Sequence, residues 1–199
     1  MPMQPKSKDS ALVMPSVEQL EAELQRESQH RRFGRTLRST VYILVTVAAV
    51  AILVSTLLFP VLKIYGNSMA PTLGEGQIVV SVKGSGFKSG DIVAFYYNNK
   101  ILVKRVICVS GDWVDLYEDG SVSVNGRVID EPYLTEKALG ICDLKLPYQV
   151  PDSQIFVMGD QRISSVDSRS SIVGCVAEEQ IVGRIVFCVW PLGEFGPVK

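Results

Sequence analysis

Hydrophobic and polar positions divide the chain into three regimes. From Ser39 to Leu62 the sequence reads STVYILVTVAAVAILVSTLLFPVL, without one charge between Arg38 and Lys63. A helix needs about 20 apolar residues to cross a bilayer, so 39–62 is predicted as one transmembrane helix, with Pro60 ending or kinking it near its far end. The run is longer than the roughly 7–15 residues of a cleaved leader's apolar core, and no A-x-A-like site follows it. It therefore reads as an uncleaved anchor. Beyond it the pattern is β throughout. Short Val- and Ile-rich runs recur at Gln77–Val82, Asp91–Tyr97, Ile101–Val109, Trp113–Tyr117, Ser121–Val124, Ile155–Met158 and Ile181–Val189. Turn formers separate them: Gly84-Ser85-Gly86, Ser89-Gly90, Asn98-Asn99, Asp119-Gly120 and Asn125-Gly126. Such punctuation predicts a mainly β, antiparallel domain over 63–199, long enough to bury one core. The tail, 1–38, begins with a Met-, Pro- and Ser-rich stretch expected to be disordered. Ser16 and Gln19 have capping-box spacing for a short helix that would place Val17, Leu20 and Leu24 on one face. That face reads as a solvated arm ahead of a partner-binding helix.

Charge refines the picture. There are 20 basic and 21 acidic residues, for a net charge of −1, which argues against a nucleic-acid partner. Apolar residues make up 47% of the chain and mean hydropathy is +0.21, in keeping with a membrane segment. Arg26, Arg31, Arg32, Arg35 and Arg38 precede the span, whereas Lys63 is followed by no basic residue until Lys83. The positive-inside rule then puts the N-terminus in the cytoplasm and 63–199 outside. The single histidine, His30, precedes the span, so a Ser-His, Cys-His or multi-His metal site is nearly excluded from the β domain. Its catalytic base, if it has one, is Lys, Asp, Glu or Tyr. The four cysteines, Cys108, Cys142, Cys175 and Cys188, show no C-x-x-C spacing. That makes zinc unlikely and leaves three possible disulfide pairings.

Three stretches carry candidate chemistry. Gly66-Asn67-Ser68-Met69-Ala70-Pro71-Thr72-Leu73 presents Ser68 on an irregular, Gly- and Pro-framed turn, where a serine can act as a nucleophile. In Ile101–Ile107, alternation puts Leu102, Lys104 and Val106 on one face and Val103, Arg105 and Ile107 on the other. Burial in such a strand disfavours an ammonium and lowers its pKa, which turns a lysine into a usable base. The plain alternative is a snorkelling or carboxylate-paired lysine. Gly159–Arg169 is dense in hydroxyls and ion-pair partners, with Asp167 and Arg169 placed to pin a loop and serines able to hold a lysine amine. Together the three suit a histidine-free hydrolase in which a lysine activates a serine.

Four motifs in order carry a family resemblance: S-M-x-P-T-L at 68–73, G-D-I-V-A-F at 90–95, K-R-V-I-x-x-x-G-D at 104–112 and G-D-x-R-x-x-S-x-D-S-R at 159–169, with V-W-P-L-G at 189–193. The chain resembles the bacterial type I signal peptidases in their compact form. That resemblance implies Ser68 as nucleophile, Lys104 as general base and Ser165 as the hydroxyl orienting the lysine. It implies Asp160, Asp167 and Arg169 as structural support, and the Ser68 N–H as an oxyanion donor. Ile64, Tyr65, Met69, Leu73, Leu102 and Val103 would surround the substrate's small residues, and an extended signal peptide would add as a strand. Signal-peptide-bearing pre-proteins, membrane lipid and the secretion translocon are the implied partners, and no metal or cofactor is implied. Gly66 stands where some members carry a hydroxyl residue, Gln161 where Asn is usual, Cys108 where Gly is usual and Ser110 where Pro is usual. Two rival readings are a self-cleaving repressor-type Ser-Lys peptidase and an inactive membrane-anchored scaffold in pilus or surface-protein assembly. The span and the lack of a basic DNA-binding module weigh against the first. The intact Ser68 and Lys104 weigh against the second.

Overall fold

The computed structural model describes residues 16–84 and 86–198; the expected disorder at the start of the tail, and Ser85 in the first turn signal, lie outside them. The chain falls into two compact units, one up to Leu53 and one from Val54 onward.

Helix α1 covers Val17–Leu58. Its start is the expected capping box: the Gln19 N–H donates to Ser16 Oγ (3.3 Å), and the Ser16 N–H donates to Gln19 Oε1 (3.1 Å). Each satisfies a donor the helix would leave open. The short helix expected there is instead continuous with the apolar span. Between Ser16 and Pro60 the only strong breaker in the sequence is Gly34, which costs a helix about 1 kcal/mol and does not end it. The part long and apolar enough to cross a membrane is Gly34–Leu58. The helix stops four residues short of the expected Leu62. Pro60 has no N–H to donate and disfavours helical geometry at Phe59, and the last two residues of the apolar run become strand.

Beyond the end of α1, the second unit is mainly antiparallel β. Its strands are β1 (Val61–Lys63), β2 (Ile78–Val82), β3 (Ile92–Tyr97), β4 (Lys100–Cys108), β5 (Trp113–Leu116), β6 (Val122–Val124), β7 (Arg127–Val128), β8 (Tyr148–Gln149), β9 (Gln154–Met158), β10 (Val176–Ala177), β11 (Ile181–Trp190) and β12 (Gly196–Pro197). The large sheet runs β1-β2-β11-β3-β4-β9-β10, with β12 beside β11, and the small sheet runs β7-β6-β5-β8. All seven expected runs form strands. The five strands not anticipated have two or three residues each, too few to show alternation. Two hairpins follow from turn chemistry. Asn98 and Asn99 both take positive φ (45° and 59°) between β3 and β4, as do Asn125 and Gly126 (53° and 77°) between β6 and β7. That is the geometry two-residue hairpins require.

Alternation along β4 distributes its side chains as expected. Leu102 and Val106 join a cluster with Val93, Phe95, Ile155 and Val157. Val103 packs with Ile64, Met69, Leu73 and Val79, and Ile107 with Phe156 and Met158. Pairing sets Lys104 opposite Val93 on β3 and Arg105 opposite Met158 on β9. The two cations thus sit in the middle of the large sheet.

Candidate active site

Three segments build the candidate site: two loops and β4. The first is the loop from β1 to β2. Ile64 is fixed at its start, donating its N–H to the Gln77 carbonyl (2.8 Å) and accepting from the Gly76 N–H (2.9 Å). Gly66 follows at φ +77°, a conformation that side chains seldom adopt. Ser68 comes next and is half-buried. A tight turn sets its surroundings, with the Ala70 N–H on the Asn67 carbonyl (3.0 Å) and the Leu73 N–H on the Met69 carbonyl (2.9 Å).

The second segment is β4 itself. Lys104 is 3% exposed, and its Nζ donates to Ser165 Oγ at 2.8 Å. Burial pulls its pKa from 10.5 down to about 8; Asp167 opposes that shift, Arg169 adds to it, and Asp160 opposes it. The amine is thereby available in its neutral form near neutral pH.

The third segment is the loop after β9. Gly159 is where it meets the first. A Cβ there would collide with Ser165 Oγ and lie 2.5 Å from the Ser68 carbonyl oxygen, so only glycine lets those two groups close around it. The Gln161 N–H donates to the same Ser68 carbonyl at 3.1 Å. Asp167 and Arg169 form a two-pronged buried pair (2.8 and 2.9 Å). The Gly159 N–H donates to Asp167 Oδ2 (2.9 Å), and the Arg169 guanidinium donates to the Ser165 carbonyl (3.3 Å). Burial alone would raise the Asp167 pKa, but hydrogen bonds and charge from Arg169 hold it below the usual carboxylate value. Asp160 has a different partner, Arg105, which grips both of its oxygens at 2.9 and 2.7 Å. Thr72 Oγ1 donates to Asp160 Oδ2 (2.5 Å). Arg105 therefore ties β4 to both loops. The sequence marked it as a cation in an apolar strand but did not reveal its carboxylate.

Ser68 opens on a largely apolar groove of about 740 Å³, walled by Val61–Gly66 and Met69 on one side and Lys100–Val103 on the other. Of the six residues expected around the substrate, Ile64, Tyr65, Met69, Leu102 and Val103 line it. Leu73 is instead 1% exposed within the core and borders a separate pocket with Pro71 and Gln77. The tight turn at 69–73 carries it into the sheet. All four cysteines are free thiols. Burial pushes the Cys108 pKa up to about 12, so this thiol stays protonated at neutral pH. Among the described residues no cluster of three His, Cys, Asp or Glu side chains is placed to hold a metal ion.

Sequence comparison supplies the family. Fold and site together define a class: an antiparallel β protein with one apolar N-terminal helix, a buried lysine held by the Ser165 hydroxyl, and a second serine, Ser68, on an apolar groove. Residues 37–190 match the family described as signal peptidase, peptidase S26. The chain is 40% identical to signal peptidase IB of Staphylococcus aureus (strain COL) over 66% of its own length and 78% of that protein. It is 34% identical to signal peptidase I of Bacillus amyloliquefaciens over 78% of its length and 89% of that protein. A crystal structure of a signal peptidase I from Enterococcus faecalis V583 aligns with 27% identity and a TM-score of 0.41, covering 50% of this chain and 97% of that one. The chain belongs to the signal peptidase family, peptidase S26, whose members include the serine peptidases named signal peptidase I.

Proposed function

We propose that this protein is a membrane-anchored endopeptidase that removes signal peptides from secreted pre-proteins, with Ser68 as nucleophile and Lys104 as general base. The observation that carries the reading is Lys104, buried in β4 with its pKa lowered to about 8 and its amine held by Ser165.

The groove suits an extended peptide. It is framed by the 61–66 segment and by Lys100–Val103, the start of β4, so a substrate strand inserted there finds backbone on both sides. Its lining by Ile64, Met69, Leu102 and Val103 suits apolar side chains over charged ones, and the preference for small residues follows from the family resemblance. In the first step the neutral Lys104 amine takes the Ser68 hydroxyl proton as Oγ attacks the scissile carbonyl carbon. The oxyanion is stabilised by the Ser68 N–H, which acts where charge develops. Lys104, now an ammonium, gives that proton to the leaving amine nitrogen. The C–N bond breaks, and the signal peptide remains as an ester on Ser68. Lys104 then takes a proton from water, hydroxide adds to the ester, and the serine is released with its proton restored. Ser165 keeps the lysine amine in place, and Asp167 with Arg169 and Asp160 with Arg105 hold the loop and strand that position it.

The arginines that precede the apolar stretch of α1 favour an N-terminus in the cytoplasm and a β domain outside. There the scissile bond of a translocated pre-protein emerges from the translocon and the lipid surface. The scaffold reading would leave the lowered Lys104 pKa without a use. The test is to quench a reaction with an Ala-x-Ala pre-protein in acid and map the products by mass. An ester adduct of the signal peptide on the Ser68 peptide is expected, and turnover with no adduct at any stage, even in a variant slowed in deacylation, would overturn the mechanism.

A further inference from the structure

The chain leaving β7 for β8 sends two side chains into the catalytic unit, and neither belongs to the motifs above. Glu131 is 4% exposed. Its carboxylate accepts from both terminal nitrogens of Arg162 (3.0 and 2.5 Å) and from the Tyr133 hydroxyl (2.7 Å). Arg162, 1% exposed, donates its Nε to the Gly159 carbonyl at 3.2 Å. The Tyr133 ring lies under the Arg105 guanidinium, 3.8 Å from the ring centroid, and Arg105 holds Asp160. Glu131 and Tyr133 therefore reach both Gly159 and Asp160. Gly159 is the residue whose bare Cα lets Ser165 Oγ and the Ser68 carbonyl come together.

Resting on the function proposed above, we propose that Glu131 and Tyr133 are positioning residues: a buried clamp, working through Arg162 and Arg105, that fixes Gly159 and Asp160 and thereby the placement of Ser165 against Lys104. A buried ion pair is weak evidence for stability, since a well-packed apolar set often serves as well. What this pair adds is location, because its contacts end on the Gly159 backbone, packed against Ser165 Oγ and the Ser68 carbonyl. The charged groups that act on Lys104 are Asp167, Arg169 and Asp160, and its hydrogen-bond partner is Ser165. Glu131 acts on it through geometry. The sign of the effect separates the two routes. Removing a negative charge that acted directly would lower the lysine pKa. Loosening the clamp admits water to the ammonium and raises it.

The test uses the full chain in detergent micelles. The Lys104 side chain is followed by NMR through a pH titration, its signal assigned by its loss in Lys104→Met, for wild type, Glu131→Gln, Glu131→Asp and Tyr133→Phe. Cleavage of an Ala-x-Ala pre-protein is measured on the same samples. In Glu131→Gln the Lys104 midpoint is expected to rise by about one pH unit, with kcat near pH 7 about tenfold lower and KM within twofold of wild type. Tyr133→Phe moves both in the same direction by less, and Glu131→Asp recovers part of the loss. An unchanged or lowered midpoint in folded Glu131→Gln overturns the proposal. Should that variant fail to fold, an unchanged midpoint in Tyr133→Phe does so. If wild type cleaves no pre-protein, the titration still decides the clamp, so failure of the function and failure of the clamp are told apart.

Discussion

Replacing Lys104 by methionine should silence the protein and make it more stable at neutral pH. The side chain is 3% exposed, and its pKa falls from 10.5 to about 8, chiefly through burial. A lysine whose folded pKa lies below its unfolded one penalises the fold wherever both states are protonated. Below about pH 8 that penalty is complete, about 3 kcal/mol. Between pH 8 and 10.5 the unfolded chain still holds a proton that the folded one has released, so wild-type stability rises with pH and the penalty disappears. Methionine has similar length and no charge to desolvate. It gives up the bond to Ser165, worth about 1 kcal/mol, so the net gain at pH 7 is about 2 kcal/mol. The packing difference does not depend on pH. The advantage of the variant should therefore shrink by about 2–3 kcal/mol between pH 7 and pH 10. Urea unfolding of both proteins in the same detergent, followed by the fluorescence of Trp113 and Trp190, reads this directly. A stability difference constant across that range would show that Lys104 is not held with a depressed pKa, and the account of its basicity would fail.

Other consequences are quicker to check. Cleavage should follow the neutral amine, so kcat/KM should fall about tenfold per pH unit below pH 8 and level off above it; a profile flat from pH 6 to 8 would contradict a lysine base. Gly159→Ala should abolish cleavage, because its Cβ meets Ser165 Oγ and the Ser68 carbonyl, whereas Gly193→Ala, with open space around it, should cleave at the wild-type rate. Asp160→Asn would remove the carboxylate charge paired with the buried Arg105 guanidinium, 3% exposed, and should cost about 3–5 kcal/mol in urea unfolding; a loss under 1 kcal/mol would show the pair to be dispensable.

Much of the fold and site is legible in the amino-acid sequence because the elements that carry the site are long or chemically marked. β4 has nine residues, enough for alternation to show and for two adjacent cations to stand out within it. The Asn-Asn and Asn-Gly hairpins are marked by residues that tolerate positive φ. The pairing of Asp167 with Arg169 is readable because both lie in one short loop. Arg105 with Asp160 is not, because strand pairing brings together residues 55 positions apart. Glu131 and Tyr133 leave no signal, since a Glu and a Tyr after a two-residue strand look like any solvated loop until the fold buries them. The displaced helix end has a simple cause. Hydropathy records that Val61 and Leu62 are apolar, but not whether a bilayer or a neighbouring strand takes them up.

The central claim is peptide-bond cleavage by Ser68 with Lys104 as its base. Its most direct test is to incubate the detergent-solubilised full chain with a pre-protein carrying an Ala-x-Ala site and to sequence the N-terminus of the product, with Ser68→Ala and Lys104→Ala run alongside. The account predicts a mature N-terminus beginning just after the second alanine, with cleavage lost in both variants. Undiminished cleavage by either variant, or none by folded wild type, would contradict it.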